Sequence, residues 1–443
     1  MEISGGPRIS GLPYSFSPKL DTKGMPVHEH SASTAQSPIL QVLGNEQYRN
    51  LWTENWAWQL GRWMWMIMSA YLVLQITDST FQTSLVGAVF FGPMLLGGVI
   101  SGVIADGFNR RNILLVGHVT NLALAVLASI MTLAGIIAPW HIFLMTLAFG
   151  SMHTLDQVTR RGLVSDLVER EYLSQALALE TMVQMGSVMI GPLVGGTLVD
   201  FLPLGKGDGL ATPFLGVTGL YVLAVLLLFR VKAPKPGGAV NIDSSNLIQT
   251  TAEGFRVAAH NPAIIGTLGI TLMANIFFFT YAPLIPVFAE KVLGVGPTLM
   301  GLLGGAHGLG AFIAAGFIAL RSKIDKRSGY YYKGTLIALG GLFIFSLSQV
   351  YALSFAALVI AGMGIAGFAT MQPVLIILSS DDATRGRILG IVSMTIGILP
   401  LSMVLVGGMA AILGPGMAVG ISAGVGLVLT AILSFYAREM RKL

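Results

Sequence analysis

Apolar runs of roughly 20 residues recur along the chain, separated by short polar breaks. Each run is long enough to cross a hydrocarbon core of about 30 Å as an α-helix. Run length places twelve spans at about 53–77, 84–105, 112–136, 140–163, 174–200, 212–231, 263–289, 298–320, 334–352, 354–378, 387–412 and 416–437. A β-barrel would show short alternating segments instead. The expected fold class is therefore an all-α polytopic membrane protein.

The breaks between the runs sort the basic residues. All but three of the 26 Lys and Arg fall in the N-terminal tail, in alternate loops or at the C-terminus. Lys206 and Lys291 lie in the other set of loops, and Arg62 lies inside the first span. Positive loops stay cytoplasmic, so both termini are expected inside and the chain in the cell membrane. The net charge of +5 is thus a topology signal. A nucleic-acid surface would need a clustered soluble basic face, which the pattern lacks. Composition agrees, with 54% hydrophobic and 11% charged residues against about 25% charged in a soluble domain. With no cysteine, disulfides and thiolate metal sites are excluded. No metal or cofactor is expected.

Residues 1–48 form a tail rich in Ser, Pro, Gly and Thr. It lacks a signal peptide's apolar stretch and is expected to be disordered and cytoplasmic. Residues 232–262 form the longest connection between spans. There Leu247, Ile248, Ala252, Phe255 and Ala258 share one helical face, suited to the membrane surface. The expected domains are a six-helix bundle at 49–231, this linker, and a second six-helix bundle at 263–443. The halves echo each other. Ser84-Leu85-Val86-Gly87 opens the second span, and Thr298-Leu299-Met300-Gly301 opens the eighth, 214 positions later. Ser165-Asp166 and Ser380-Asp381 recur at nearly the same offset, as do Arg170 and Arg385. A duplicated six-span unit is a transporter signature, with the binding site between repeats near mid-membrane.

The loop after span two reads GVIADGFNRRNILL (Gly102–Leu115). Gly102 leaves room for a neighbouring helix. Asp106 can face a positive helix N-terminus. Arg110 and Arg111 can pair with Asp166 or Glu169. Two readings stand: a conformational latch between the halves, or arginines that only fix topology. Twelve spans as six plus six, with Gly102, Asp106, Arg110 and Arg111 at these positions, resemble the major facilitator superfamily. NEQYRNLW (Asn45–Trp52), LVEREYLSQALAL (Leu167–Leu179) and AEGFRVAAHNP (Ala252–Pro262) resemble its bacterial branch of enterobactin-exporter-like transporters and drug:proton antiporters. The superfamily's pattern has a basic residue directly after the Asp and a Gly two further on; here these are Gly107 and Asn109. GPLVGG in span five (Gly191, Pro192, Gly195, Gly196) resembles the antiporters' Gly-Pro motif, which implies export. Physically, Pro192 bends the helix and the glycines allow close packing.

Charges inside spans are costly and mark functional candidates. Arg62, Asp156 and Glu180 all fall in the cytoplasmic third and are expected to share a layer. Burial disfavours a carboxylate's charged form and a nearby guanidinium favours it, so such a set suits proton coupling. The bland alternatives are an Asp156–Arg160 helix staple and a snorkelling Arg62. His153 can share the face of Asp156. In the second half Asn275, Tyr281 and Gln372 are the cavity candidates. A charged wall opposite an aromatic and amide wall suits an amphipathic organic solute. The expected function is therefore alternating-access export of a drug, siderophore or secondary metabolite by proton antiport, from a monomer in the bilayer. Lysophospholipid flipping, uptake and a non-transporting sensor are the alternatives. An enzyme is not expected, since seven scattered His offer no HExxH metal site.

Overall fold

The computed structural model describes residues 38–204, 210–232, 256, 258–319, 327–380, 388, 391–392 and 394–436. Among these residues the chain is helical, without strands. In order, the helices are α1 (Pro38–Gly44), α2 (Glu46–Thr77), α3 (Thr80–Gly107), α4 (Arg110–Ala134), α5 (Pro139–Leu167), α6 (Leu173–Phe201), α7 (Thr212–Arg230), α8 (Pro262–Phe277), α9 (Pro297–Ala319), α10 (Arg327–Leu347), α11 (Tyr351–Ser379), α12 (Leu399–Leu413) and α13 (Pro415–Tyr436). The polar breaks act as caps. The side chains of Asn45, Ser79, Asn109 and Asn261 accept hydrogen bonds from the first turns of α2, α3, α4 and α8. Proline, which has no N–H to leave unpaired, opens α5, α8, α9 and α13. Asp78 ends α2 in the left-handed region at φ 49°, which lets α3 begin two residues later.

Among the described residues, eight stretches are long and apolar enough to cross a membrane: residues 110–134, 170–201, 212–230, 262–292, 297–318, 351–379, 394–413 and 415–436. The sequence pattern leads one to expect twelve. Helices α2, α3, α5 and α10 occupy the other four expected positions. α2 spans 32 residues and α5 spans 29, but polar side chains interrupt their apolar runs. These are Glu54, Asn55, Gln59 and Arg62 in α2, and His153, Asp156, Gln157 and Arg160 in α5. In α3 the apolar stretch among the described residues is Thr80–Leu95.

The end of the expected disordered tail is ordered. Residues 38–44 form α1, whose Val42 is buried with Tyr48, Leu51, Leu114 and Leu163. The apolar sequence PILQVLG supplies the surface for that contact. Residues 1–37 lie outside the described residues, as do residues 233–255 of the expected amphipathic linker.

After Phe277 the regular helix gives way to a 3₁₀ stretch, Phe279–Leu284, and a π turn, Phe288–Val292. Pro283 and Pro286 each remove a backbone donor, so the α-ladder cannot continue. This irregular backbone packs on α2, α3 and α12.

Among the described residues, the first and second halves meet chiefly along α6 with α9 and α3 with α12, beside the irregular segment on α2 and α3. Glycines set the approach. A Cβ at Gly301 or Gly305 would collide with the carbonyls of Pro192 or Met189, and one at Gly196 with the carbonyl of Pro297. A Cβ on Gly87 would stand 2.6 Å from Pro283 and 3.0 Å from Met403. Gly87 and Gly301 are the matching glycines of the internal repeat, and both lie where the halves meet. Polar bonds reinforce the same end. Ser84 donates to the Met403 carbonyl (2.8 Å), Gln75 donates to Glu290 (2.5 Å), and Lys291 pairs with Asp78 (2.6 Å). Asp200, near the end of α6, accepts the Thr298 N–H (2.8 Å) and so caps α9 from the other half of the chain.

Candidate functional site

The first half buries a charge cluster. Glu54 on α2 is fully buried and accepts two bonds from Arg160 on α5, at 2.7 and 3.3 Å. Arg160 also bonds both oxygens of Asp156 one turn earlier, at 2.9 and 3.2 Å. His118 on α4 places Nε2 2.5 Å from Glu54. A carboxylate only accepts, so Nε2 carries the hydrogen here. The imidazole is stacked on Trp58, with centroids 4.0 Å apart and planes at 9°. Two carboxylates thus share one guanidinium and one imidazole. With the imidazole neutral the four groups sum to −1; one added proton makes them neutral. Removing either partner of a buried pair costs about 3–5 kcal/mol, so the net charge of this set is tightly tied to its geometry.

Sequence reasoning named Asp156 and Arg160 and missed Glu54 and His118. Glu54 lies one residue inside the expected first span and reads as membrane edge, yet α2 begins at Glu46 and puts it well inside the helix. His118 reads as a lone imidazole in an apolar run. The signal that relates it to Glu54 is spatial.

The other candidates are placed as follows. Glu180 is apart from Arg160's hydrogen bonds and accepts from Asn55 (2.6 Å) and the Tyr48 hydroxyl (3.4 Å). Arg62 is 3% exposed and donates to the neutral Gln59 (2.7 Å). Its guanidinium carbon stands 4.5 Å from the Trp63 ring centroid. Arg62 therefore faces no carboxylate at hydrogen-bond distance among the described residues. His153 shares a hydrogen bond with Gln157 (3.0 Å) and stacks near Phe90. Asn275 donates to the Thr271 carbonyl (3.1 Å) and to Thr395 (3.3 Å), and Gln372 donates to the Thr271 hydroxyl (2.8 Å). Both amides thus bond inside the second half, whereas Tyr281 lines a small cavity between the halves.

The GPLVGG motif sits at a triple crossing. Gly191 abuts α2 at Trp63 and Leu60, Gly195 abuts Met64 and Met68, and the carbonyl of Pro192 and Gly196 abut α9. Of the expected latch, Arg110 bonds Asp166 at 2.8 Å and the Gly162 carbonyl at 3.1 Å. Arg111 donates to the carbonyls of Leu228 and Phe229. These bonds tie α4 to α5 and α7 inside the first half. A Cβ at Gly102 would meet nothing within 4 Å among the described residues, so the expected close approach is not made by any of them. The side chain of Asp106 lies outside the described residues.

A family model described as transmembrane secretion effector matches residues 36–442. The enterobactin exporter EntS of Shigella flexneri is 26% identical over 372 residues, covering 82% of this chain and 84% of that one. The uncharacterized MFS-type transporter YfiS of Bacillus subtilis is 22% identical over 315 residues, covering 70% of this chain and 69% of that one. Among solved structures, a bacterial homolog of the human lysosomal transporter Spinster, inward-facing and unoccupied, superposes with a TM-score of 0.67 at 15% identity, covering 92% of this chain and 98% of that one. A D-xylose–proton symporter superposes with the same score at 13% identity, covering 89% and 99%. These structures carry the fold alone; the family rests on the model match. The chain belongs to the transmembrane secretion effector family of major facilitator transporters, and it is a multi-pass membrane transporter, not an enzyme.

Proposed function

We propose that this transporter exports a small amphipathic organic solute in exchange for protons, by alternating access between two six-helix halves with both termini in the cytoplasm. The observation that carries the reading is the Glu54–Arg160–Asp156 set with His118 against it. The Arg160–Asp156 pair lies within one helix, whereas the Arg160–Glu54 pair joins α5 to α2. A proton accepted by Glu54 weakens the second pair and the His118 contact and leaves the first pair intact. Arg160 then keeps Asp156, and one tie between α2 and α5 is loosened while Trp65 still bonds Thr146 and stacks on Phe149. Proton binding is in this way converted into a change of helix contact. The Lys and Arg bias assigns the closed end, at Asp78–Lys291 and Asp200–Thr298, to the outside. The likeness to an enterobactin exporter favours the outward direction of transport.

Reconstitution in liposomes with an internal pH-sensitive dye tests the proposal. Amphipathic dyes, siderophores and lysolipids are added as substrates under an imposed proton gradient. The expected result is a substrate-dependent proton flux that Glu54→Gln abolishes while the protein still inserts. Substrate movement without proton flux, in the parent and the variant alike, would sink the exchange mechanism.

A further inference from the structure

A second feature lies between the halves. A cavity of about 20 Å³ is walled by Trp63 of α2, Tyr281 of the irregular segment and His307 of α9, and otherwise by apolar groups. A space of that size holds one water molecule and excludes an organic solute. Each of the three side chains brings a buried polar atom without a hydrogen-bond partner among the described residues. These atoms are the Trp63 indole Nε1, the Tyr281 hydroxyl and His307 Nδ1. Tyr281 is 2% exposed. Its ring meets the His307 ring at 82°, with centroids 6.1 Å apart.

Each unpaired buried polar group is costly in a protein interior. When the halves are apart, bulk water satisfies all three groups; bringing the halves together strips that water away. We propose that closure traps one water molecule in this cavity, shared by Trp63 of the first half and by Tyr281 and His307 of the second. The donors and acceptors balance. An indole N–H only donates, so the water accepts from Trp63. With the ring hydrogen on Nε2, His307 Nδ1 is an acceptor, and the water donates to it. A phenolic hydroxyl does both, so Tyr281 takes either position that the water has left. Three bonds are the usual number for a buried water. The water is thus a bond between the halves that neither half makes alone. It also parts without leaving an unpaired group behind, because opening rewets all three. That suits a contact made and broken in every cycle of alternating access. The site uses no residue of the charge cluster and does not depend on proton exchange.

The experiment follows labelling by a hydrophilic maleimide of the full chain in nanodiscs, with one thiol introduced as Ser84→Cys. Ser84 is buried between α3 and α12, where the halves meet. Tyr281→Phe keeps the ring and removes one partner of the water. It is expected to speed labelling about fivefold, the worth of one hydrogen bond. Gly304→Ala fills the cavity, because an added Cβ would stand 3.3, 3.6 and 3.7 Å from Pro192, Ile67 and Ile285, all of them wall residues. The methyl expels the water and leaves the three polar groups unpaired. In that background Tyr281→Phe removes an unpaired hydroxyl, so its effect changes sign: labelling is expected to slow about fivefold relative to Gly304→Ala alone. The comparison is made within each background, so any crowding by the new methyl cancels. The same response to Tyr281→Phe in both backgrounds, including no response, overturns the water site. A crystallographic map of the closed chain that resolves ordered waters is expected to show one among Trp63, Tyr281 and His307; its absence from such a map also overturns the proposal. Neither measurement involves a substrate or a proton gradient, so a failure of the proposed exchange leaves the water site standing, and the reverse holds as well.

Discussion

Gly301→Ala is expected to open the closed end of the transporter, the end that the proposed topology puts outside. Gly301 lies on α9 against α6, where an added Cβ would collide with the Pro192 carbonyl and stand 3.0 Å from the Leu193 Cα. Both contacts are backbone, so no side chain can swing aside. The helices must part by about 1 Å to restore ordinary van der Waals separation. Overpacking of this kind costs about 1–3 kcal/mol. Because α6 and α9 belong to different halves, the cost falls on the closed arrangement and is relieved when the halves separate there. A bias of that size raises the open population about 5- to 150-fold. The chain contains no cysteine, so a single introduced thiol reports cleanly. Ser84→Cys is suited, because Ser84 is fully buried between α3 and α12 at the same closed end. Labelling by an impermeant maleimide from outside is expected to be slow in the parent and faster by that factor with Gly301→Ala. Gly316→Ala is the control on the same helix, since its Cβ would meet nothing within 4 Å. Equal labelling rates with Gly301→Ala, with Gly316→Ala and in the parent would refute the argument.

Asp200→Ala removes the cap that α6 lends to α9, at a cost of about 1 kcal/mol, and is expected to raise Ser84→Cys labelling about fivefold. The Asp78–Lys291 pair is another matter: the Asp78 side chain is 87% exposed, so Lys291→Gln is expected to change stability by about 0.5 kcal/mol or less, an effect that fades in salt titrations. A double-mutant cycle of Glu54→Gln and Arg160→Gln, read by denaturant unfolding in micelles, is expected to give a coupling of about 2 kcal/mol; additivity within about 0.5 kcal/mol would mean that the pair is not energetically linked. Arg110→Ala is expected to loosen α4 against α5 and lower stability by about 1 kcal/mol, because the side chain bonds Asp166 and the Gly162 carbonyl within the first half.

Much of the helix layout is legible in the order of residues, because a membrane helix must satisfy its own backbone and show apolar side chains to lipid. Apolar run length therefore locates the helices but not all their ends: α2 and α10 begin at Glu46 and Arg327, ahead of the expected 53 and 334, because polar first turns continue a helix that run length does not count. The glycines of the repeat and of GPLVGG announce close packing, although not their partners. The site is legible only in part. Asp156 and Arg160 stand four residues apart on one helix, so local geometry pairs them. Glu54, His118 and Arg160 come from three helices, and the rotation of each helix about its own axis decides whether they meet. That rotation depends on packing such as Trp58 against His118, which no single segment encodes. For the same reason Glu180 pairs with Asn55 rather than joining Arg62, and Arg62 stands over Trp63. The sequence by itself determined the helices, the basic asymmetry of the loops and the resemblance to a transporter family, all consequences of local composition. Tertiary structure alone decided which buried charges meet and where the halves touch, because these depend on distances between residues far apart in the chain.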